Sequence, residues 1–183
     1  MANLANETLT SQEFNELYRG EQTEASFQKT GPGDYPCALA IDPGTETGVA
    51  WSDGDRIVTG TSDFWEASSA LRNGRPHEAL AVKVPAPDHS SEMVVILEAV
   101  YESRQSMGAG PAIAYNSGQV AREADLLSRL IGKLGHDLIE HDPAGQPGKW
   151  NREVAERRVG DWVGPNNQHV RDAVRLLYWY EML

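Results

Sequence analysis

The stretch Ala38-Leu39-Ala40-Ile41-Asp42-Pro43-Gly44-Thr45-Glu46-Thr47-Gly48-Val49-Ala50-Trp51 decides the fold. Its first residues form a short apolar run, which is typical of a strand buried on both faces. The run ends at Asp42, a Pro-Gly turn follows, and apolar sequence resumes at Gly48. The pattern predicts a hairpin with one acid where its first strand meets the turn. That acid either caps its own turn or binds a partner or a metal ion, because burying an unpaired carboxylate is costly.

Two other stretches carry acids in comparable positions. The apolar run Met93-Val94-Val95-Ile96-Leu97 ends at Glu98, and a helical pattern near the C-terminus carries Asp172 one turn after His169. Carboxylates are the ligands that hard cations such as Mg²⁺ prefer. Two acids at strand ends and a His/Asp pair on a helix therefore indicate a Mg²⁺ or Mn²⁺ site of the kind that cleaves phosphodiesters with two metal ions.

In this order, the motifs resemble those of the RuvC family of Holliday-junction resolvases. The resemblance spans about residues 37 to 180, and the ordered set is more specific than any motif in it. The residues that carry it are Ile41-Asp42-Pro43-Gly44-Thr45 with Gly48, Ile96-Leu97-Glu98 and His169-Val170-Arg171-Asp172-Ala173.

The resemblance implies an α/β domain with the RNase H-like fold, a mixed five-stranded sheet with helices on both faces. It implies a phage or bacterial endonuclease of DNA recombination and repair that cuts four-way junctions and leaves a 5′ phosphate. Asp42, Glu98 and Asp172 would bind two Mg²⁺ or Mn²⁺ ions. His169, at the family's fourth acidic position, would be a further ligand or the proton carrier. Resolution needs two symmetric cuts, so a homodimer is expected.

The resemblance also indicates residues that contact DNA. The family has an aromatic residue near the junction crossover three positions after the Glu, and here Tyr101 either stacks on an unpaired base or packs in the core. Arg104 lies in the Gly-bearing loop that follows, a suitable place for DNA contacts. Lys149 best matches the family's functional lysine, with Arg152 as the alternative. Such a cation would hold phosphate or stabilise transition-state charge, unless this segment is only a solvated helix face.

Composition limits the classes of function. A chain of 183 residues is long enough for one domain with a real core. Its single cysteine, Cys37, forms no disulfide and favours a reducing cytoplasm; neither a signal peptide nor a membrane span is expected. The net charge of −11 argues against a non-specific nucleic-acid coat. It is compatible with a nuclease, because a metal site is itself acidic and the few cations can cluster beside it.

Turn and periodicity signals divide the chain. The polar residues 1–34 end in a Gly/Pro-rich break, which predicts an extension, either a solvated tail or a docked arm, before a nuclease domain of residues 35–183. Within that domain we expect three antiparallel strands over 37–61. The elements expected after them are a helix over 64–71, a strand ending at Glu98, a long helix over 112–134, a short strand after it and a last helix carrying His169. Prolines exclude a continuous helix through 62–92. His141 and Asp142 are interpreted as loop residues.

Two alternative functions remain open at this point. A related nuclease acting on RNA or on other branched DNA would show the same acids. An actin-like ATP-binding module also places an Asp-x-Gly-Thr hairpin at its first strand, but it needs a second phosphate loop and a chain about twice as long or more.

Overall fold

The computed structural model describes residues 35–73, 93–99, 111–143 and 149–180, so the predicted extension of residues 1–34 lies outside it. Nine elements follow one another in these ranges. The strands are β1 (Cys37–Asp42), β2 (Thr47–Ser52), β3 (Ile57–Ser62), β4 (Met93–Glu98) and β5 (Asp137–His141). The helices are α1 (Phe64–Arg72), α2 (Pro111–Leu134), α3 (Arg152–Val159) and α4 (Gln168–Trp179).

The five strands form one sheet in the order β3-β2-β1-β4-β5. β1, β2 and β3 are antiparallel neighbours, as the hairpin signals predicted. β4 and β5 run parallel to β1, which places the carboxyl ends of all three at the same edge. The predicted mixed five-stranded sheet is confirmed.

Side-chain alternation along the strands divides the core between the two faces of the sheet. One face packs against α1 and α2, and it carries the bulkier residues. They are Leu39, Ile41, Val49, Trp51, Val95 and Leu97 from the strands, with Phe64, Leu71, Leu127 and Ile131 from the helices. The other face packs against α4 and is built from smaller residues near the first hairpin. Its residues are Ala38, Ala40, Ala50, Val94 and Ile96, with Val170, Ala173, Val174 and Leu177 from α4.

Helix ends follow the sequence signals. Asn151 caps α3 and Asn167 caps α4, each accepting a hydrogen bond from a backbone N–H three residues on, as expected for these residues. Gly135 follows α2 with a φ of 78°, a conformation that favours glycine. The predicted helix over 64–71 forms and begins in a capping box between Asp63 and Glu66. Among the described helices, none has the length and apolarity required to cross a membrane.

Candidate active site

Two acids lie side by side at the carboxyl edge of the sheet. The parallel register pairs Ile41 with Leu97, so the residues that follow, Asp42 and Glu98, are neighbours. Both continue the alternation of the α4-facing side, after Ala40 on β1 and Ile96 on β4. Asp42 is 8 % exposed and Glu98 is 9 % exposed. Two carboxylates are therefore held together in a mostly dry environment, where the charge of Asp42 raises the cost of ionising Glu98.

Helix α4 brings a third acid and an imidazole to this edge. His169 Nδ1 lies 3.1 Å from Asp42 Oδ2, and Asp172, three residues further along the helix, is buried. The close approach depends on Gly48 in β2, because a Cβ there would lie 2.1 Å from the backbone carbonyl oxygen of His169. The sequence-predicted set of Asp42, Glu98, His169 and Asp172 thus meets at one place in the fold.

Three polar groups surround Asp172. Gln168 Nε2 donates a hydrogen bond to Asp172 Oδ2 at 3.1 Å, and Lys149 Nζ lies 3.5 Å from the same oxygen. Arg175 Nη2 lies 3.4 Å from Asp172 Oδ1 and 3.8 Å from Glu98 Oε2. The acids are therefore accompanied by one exposed cation, Lys149, and one buried cation, Arg175.

The electrostatics of the cluster follow from its burial. Burial raises the pKa of Asp42, against the opposing effect of its hydrogen bond with His169. The pKa of Glu98 is raised to about 7, first by burial and then by the neighbouring charge of Asp42. The pKa of His169 is raised chiefly by its hydrogen bond with Asp42. Glu98 therefore retains its proton to a higher pH in the folded protein than it would in water.

The donor set fits a divalent cation by its chemistry. Two buried carboxylate oxygens, Glu98 Oε2 and Asp172 Oδ1, have no hydrogen-bond partner, and carboxylate oxygens are the ligands of Mg²⁺ and Mn²⁺. In the described ranges, however, no three His, Cys, Asp or Glu side chains are yet close enough to hold a metal ion together. The guanidinium of Arg175 lies between two of the acids instead.

The remaining predicted site residues have different outcomes. Lys149 lies beside the acids, whereas Arg152 is paired with Glu156 on the exposed face of α3, so the geometry favours Lys149 as the site cation. Tyr101 and Arg104 lie outside the described residues. His141 was predicted to be a loop residue, which is wrong: it ends β5 opposite Glu98, because the β4–β5 pairing extends to the last residue of β4.

Arg175 is the residue of this cluster that sequence reasoning missed. It is 5 % exposed, so α4 buries a charged side chain that the sequence analysis did not single out. The sequence did contain a signal, an arginine within Ala173-Val174-Arg175-Leu176-Leu177, three residues after Asp172. A charge in an apolar stripe must find a partner, and an acid three residues earlier on a helix is within reach.

Gly48→Ala tests the close packing of α4 on β2. The added methyl group would overlap the backbone of His169, so α4 must move, at a cost of about 1–3 kcal/mol. We expect a lower melting temperature, and a changed environment of His169 in NMR spectra. Gly118→Ala in α2 is the matched control, because a Cβ there meets nothing within 4 Å and should stabilise the helix slightly. Equal melting temperatures for the two variants would contradict the packing.

Comparisons with known proteins give a likeness among solved structures. No protein-family model matches the chain, and no curated protein matches it. Among solved structures it is similar to "T. thermophilus RuvC in complex with Holliday junction substrate", with 16 % identity and a TM-score of 0.44, over 78 % of this chain and 90 % of that chain. At such distance, the substrate and chemistry of this chain have to be inferred from its own residues.

Proposed function

We propose that the protein is a metal-dependent endonuclease of the RNase H-like type that cuts branched DNA, with the four-way junction as its substrate. The observation that carries the proposal is the meeting of Asp42 and Glu98 with His169 and Asp172 from α4. Three buried carboxylates with one buried cation, Arg175, among them leave an excess of negative charge that a divalent cation would neutralise. The substrate class is that implied by the resemblance of the same residues to the RuvC motifs.

Asp42, Glu98 and Asp172 would hold the metal. A divalent ion bound to them supplies Lewis-acid activation of water and stabilisation of the leaving oxygen. The binding of two ions is what the resemblance to the RuvC family implies. In this chain, Arg175 bears on the number of ions that the site can hold. His169 donates to or accepts from Asp42 through Nδ1, which leaves Nε2 as the atom that can accept or deliver a proton.

Lys149 is the cation that would contact the substrate. Its side chain is 67 % exposed while its Nζ lies beside the buried Asp172, so it can exchange that carboxylate for a phosphate oxygen. Further positive charge lies on α3, at Arg152, Arg157 and Arg158. In a chain of net charge −11, cations on the surface of α3 would locally offset the repulsion of DNA. Two such sites in a homodimer would cut the two strands symmetrically.

The deciding experiment is a cleavage panel. The full chain is incubated with a synthetic four-way junction, a flap, a replication fork, an RNA–DNA hybrid and a matched linear duplex, each with Mg²⁺, Mn²⁺ or chelator. The proposal expects paired nicks in the junction, only with metal, and little cutting of the linear duplex. Preferential cutting of the hybrid would assign an RNA substrate, and ATP hydrolysis without any cutting would favour the actin-like alternative.

Lys149→Met tests the assigned cation. Removing a preorganised charge that stabilises the transition state should slow junction cleavage by about 10–100-fold, with little change in melting temperature because the side chain is exposed. Arg152→Met should have a smaller effect, since Arg152 already pairs with Glu156. Lys133→Met, at the last turn of α2, is the control for loss of one positive charge. A larger defect in Arg152→Met than in Lys149→Met would reverse the assignment.

A further inference from the structure

The guanidinium of Arg175 lies among groups from α4 and β4, and His141 of β5 packs behind them. On one side are the two carboxylates, Asp172 on its own helix and Glu98 at the end of β4. On another side is the ring of Trp179, whose centroid lies 4.6 Å from Arg175 Cζ. His141 at the end of β5 stacks on that same ring, with 5.0 Å between centroids, and donates to or accepts from the hydroxyl of Tyr180. An arginine enclosed in this way has little freedom to leave.

Displacing Arg175 would be costly. Its side chain is only 6 % exposed, and its partners Asp172 and Glu98 are 4 % and 12 % exposed. Moving the guanidinium away would separate buried opposite charges and also lose the contact with Trp179. By contrast, Lys149 at 67 % exposure can leave Asp172 at little cost. Arg175 is therefore the resident cation of the site and Lys149 the exchangeable one.

Charge counting shows what a resident guanidinium does. The count covers only the buried groups of the site. When ionised, Asp42, Glu98 and Asp172 carry a charge of −3, and Arg175 reduces this to −2. One divalent ion balances the remainder, whereas a second ion would leave an excess of two positive charges in a buried place. Arg175 also lies between Glu98 Oε2 and Asp172 Oδ1, so its guanidinium occupies space beside two of the carboxylate oxygens that two ions would have to share.

From these contacts we infer that Arg175 takes the place of one of the two metal ions, so that the site binds a single divalent ion. This rests on the metal-dependent function proposed above. Arg175 acts here as a positioning residue: it fixes Glu98 and Asp172 relative to each other without touching the substrate. The inference concerns the number of ions bound, which can be measured without any cleavage.

The test is Mn²⁺ binding to the full chain without DNA, by calorimetry and by electron paramagnetic resonance of free Mn²⁺. We expect one ion per wild-type chain and two per Arg175→Met chain, because methionine removes the charge but retains the bulk. Arg175→Lys, which retains the charge, should bind one. In chelator, Arg175→Met should melt about 10 °C below the wild type. Adding Mn²⁺ should raise the melting temperature of Arg175→Met by more than it raises that of the wild type.

Arg129→Met is the matched control. Arg129 also pairs with an aspartate on its own helix, at 3.0 Å from Asp125, but on an exposed surface, so this variant should bind one ion and melt like the wild type. Two ions per wild-type chain would overturn the inference without contradicting the proposed nuclease function. This measurement uses the wild type alone, so it remains decisive even if Arg175→Met fails to fold. One ion in Arg175→Met would also overturn it. No binding to the wild type would overturn the metal-dependent function, and the inference with it.

Discussion

Replacing Asp42 with Asn is expected to reduce junction cleavage by at least about 10³-fold. The carboxylate of Asp42 has a proposed metal-binding role and also shares a hydrogen bond with His169 Nδ1. Asparagine retains the shape but not the charge, so both the affinity for a divalent ion and the orientation of His169 suffer. A loss of about 4 kcal/mol of transition-state stabilisation corresponds to this factor.

The fold should tolerate the same substitution. Burial raises the pKa of Asp42, which means that the ionised carboxylate is unfavourable in the metal-free protein. Asp42→Asn should therefore melt no lower than the wild type in chelator, and it should still bind the junction. The measurement combines single-turnover cleavage, melting temperature and junction binding by fluorescence anisotropy. Cleavage by Asp42→Asn at the wild-type rate with Mg²⁺ would exclude Asp42 from the active site.

The first hairpin and the strand ending at Glu98 could be predicted because their signals are local. Alternation, the Pro-Gly turn and an acid after an apolar run are all readable within ten residues or so. They also locate the site, since parallel strands end at one edge of the sheet. The start of α4 and the place of His169 and Asp172 on it could be predicted for the same reason, from an N-cap at Asn167 and an apolar stripe.

What could not be predicted depends on contacts between distant segments. The backbone of His169 approaches Gly48 because α4 packs closely on β2. These two residues are over 120 positions apart in the sequence, so no local pattern shows the contact. Arg175 was missed because helical periodicity assigns it to a buried face, without showing that Glu98 lies across from it. The preference for Lys149 over Arg152 as the proposed cation also depends on tertiary contacts, because Lys149 lies beside Asp172 whereas Arg152 pairs with Glu156.

The pH dependence of stability provides the second large effect, and it should appear in the metal-free protein. The pKa of Glu98 is about 7 in the folded chain, against an ordinary value of 4.5. Between pH 4.5 and about pH 7, Glu98 retains a proton in the folded protein that it releases in the unfolded chain. The free energy of unfolding should therefore fall as the pH rises through this window, by up to about 3 kcal/mol from Glu98. The contribution is fully present below pH 4.5 and is lost above pH 7.

Glu98→Gln isolates this contribution. The groups that act on Glu98 are Asp42 and Asp172, which raise its pKa, and Arg175 and Lys149, which lower it. Since a neutral amide cannot titrate, urea unfolding of Glu98→Gln in chelator should decline less with pH than that of the wild type.

Glu153→Gln, the same change on the exposed surface of α3, should decline as the wild type does. Adding Mg²⁺ should reduce the decline in the wild type, because a bound cation favours the ionised carboxylate. Parallel curves for the wild type and Glu98→Gln in chelator would mean that Glu98 is already ionised in the folded protein at acidic pH. In that case Arg175 and Lys149 would outweigh burial and the charge of Asp42 at this position.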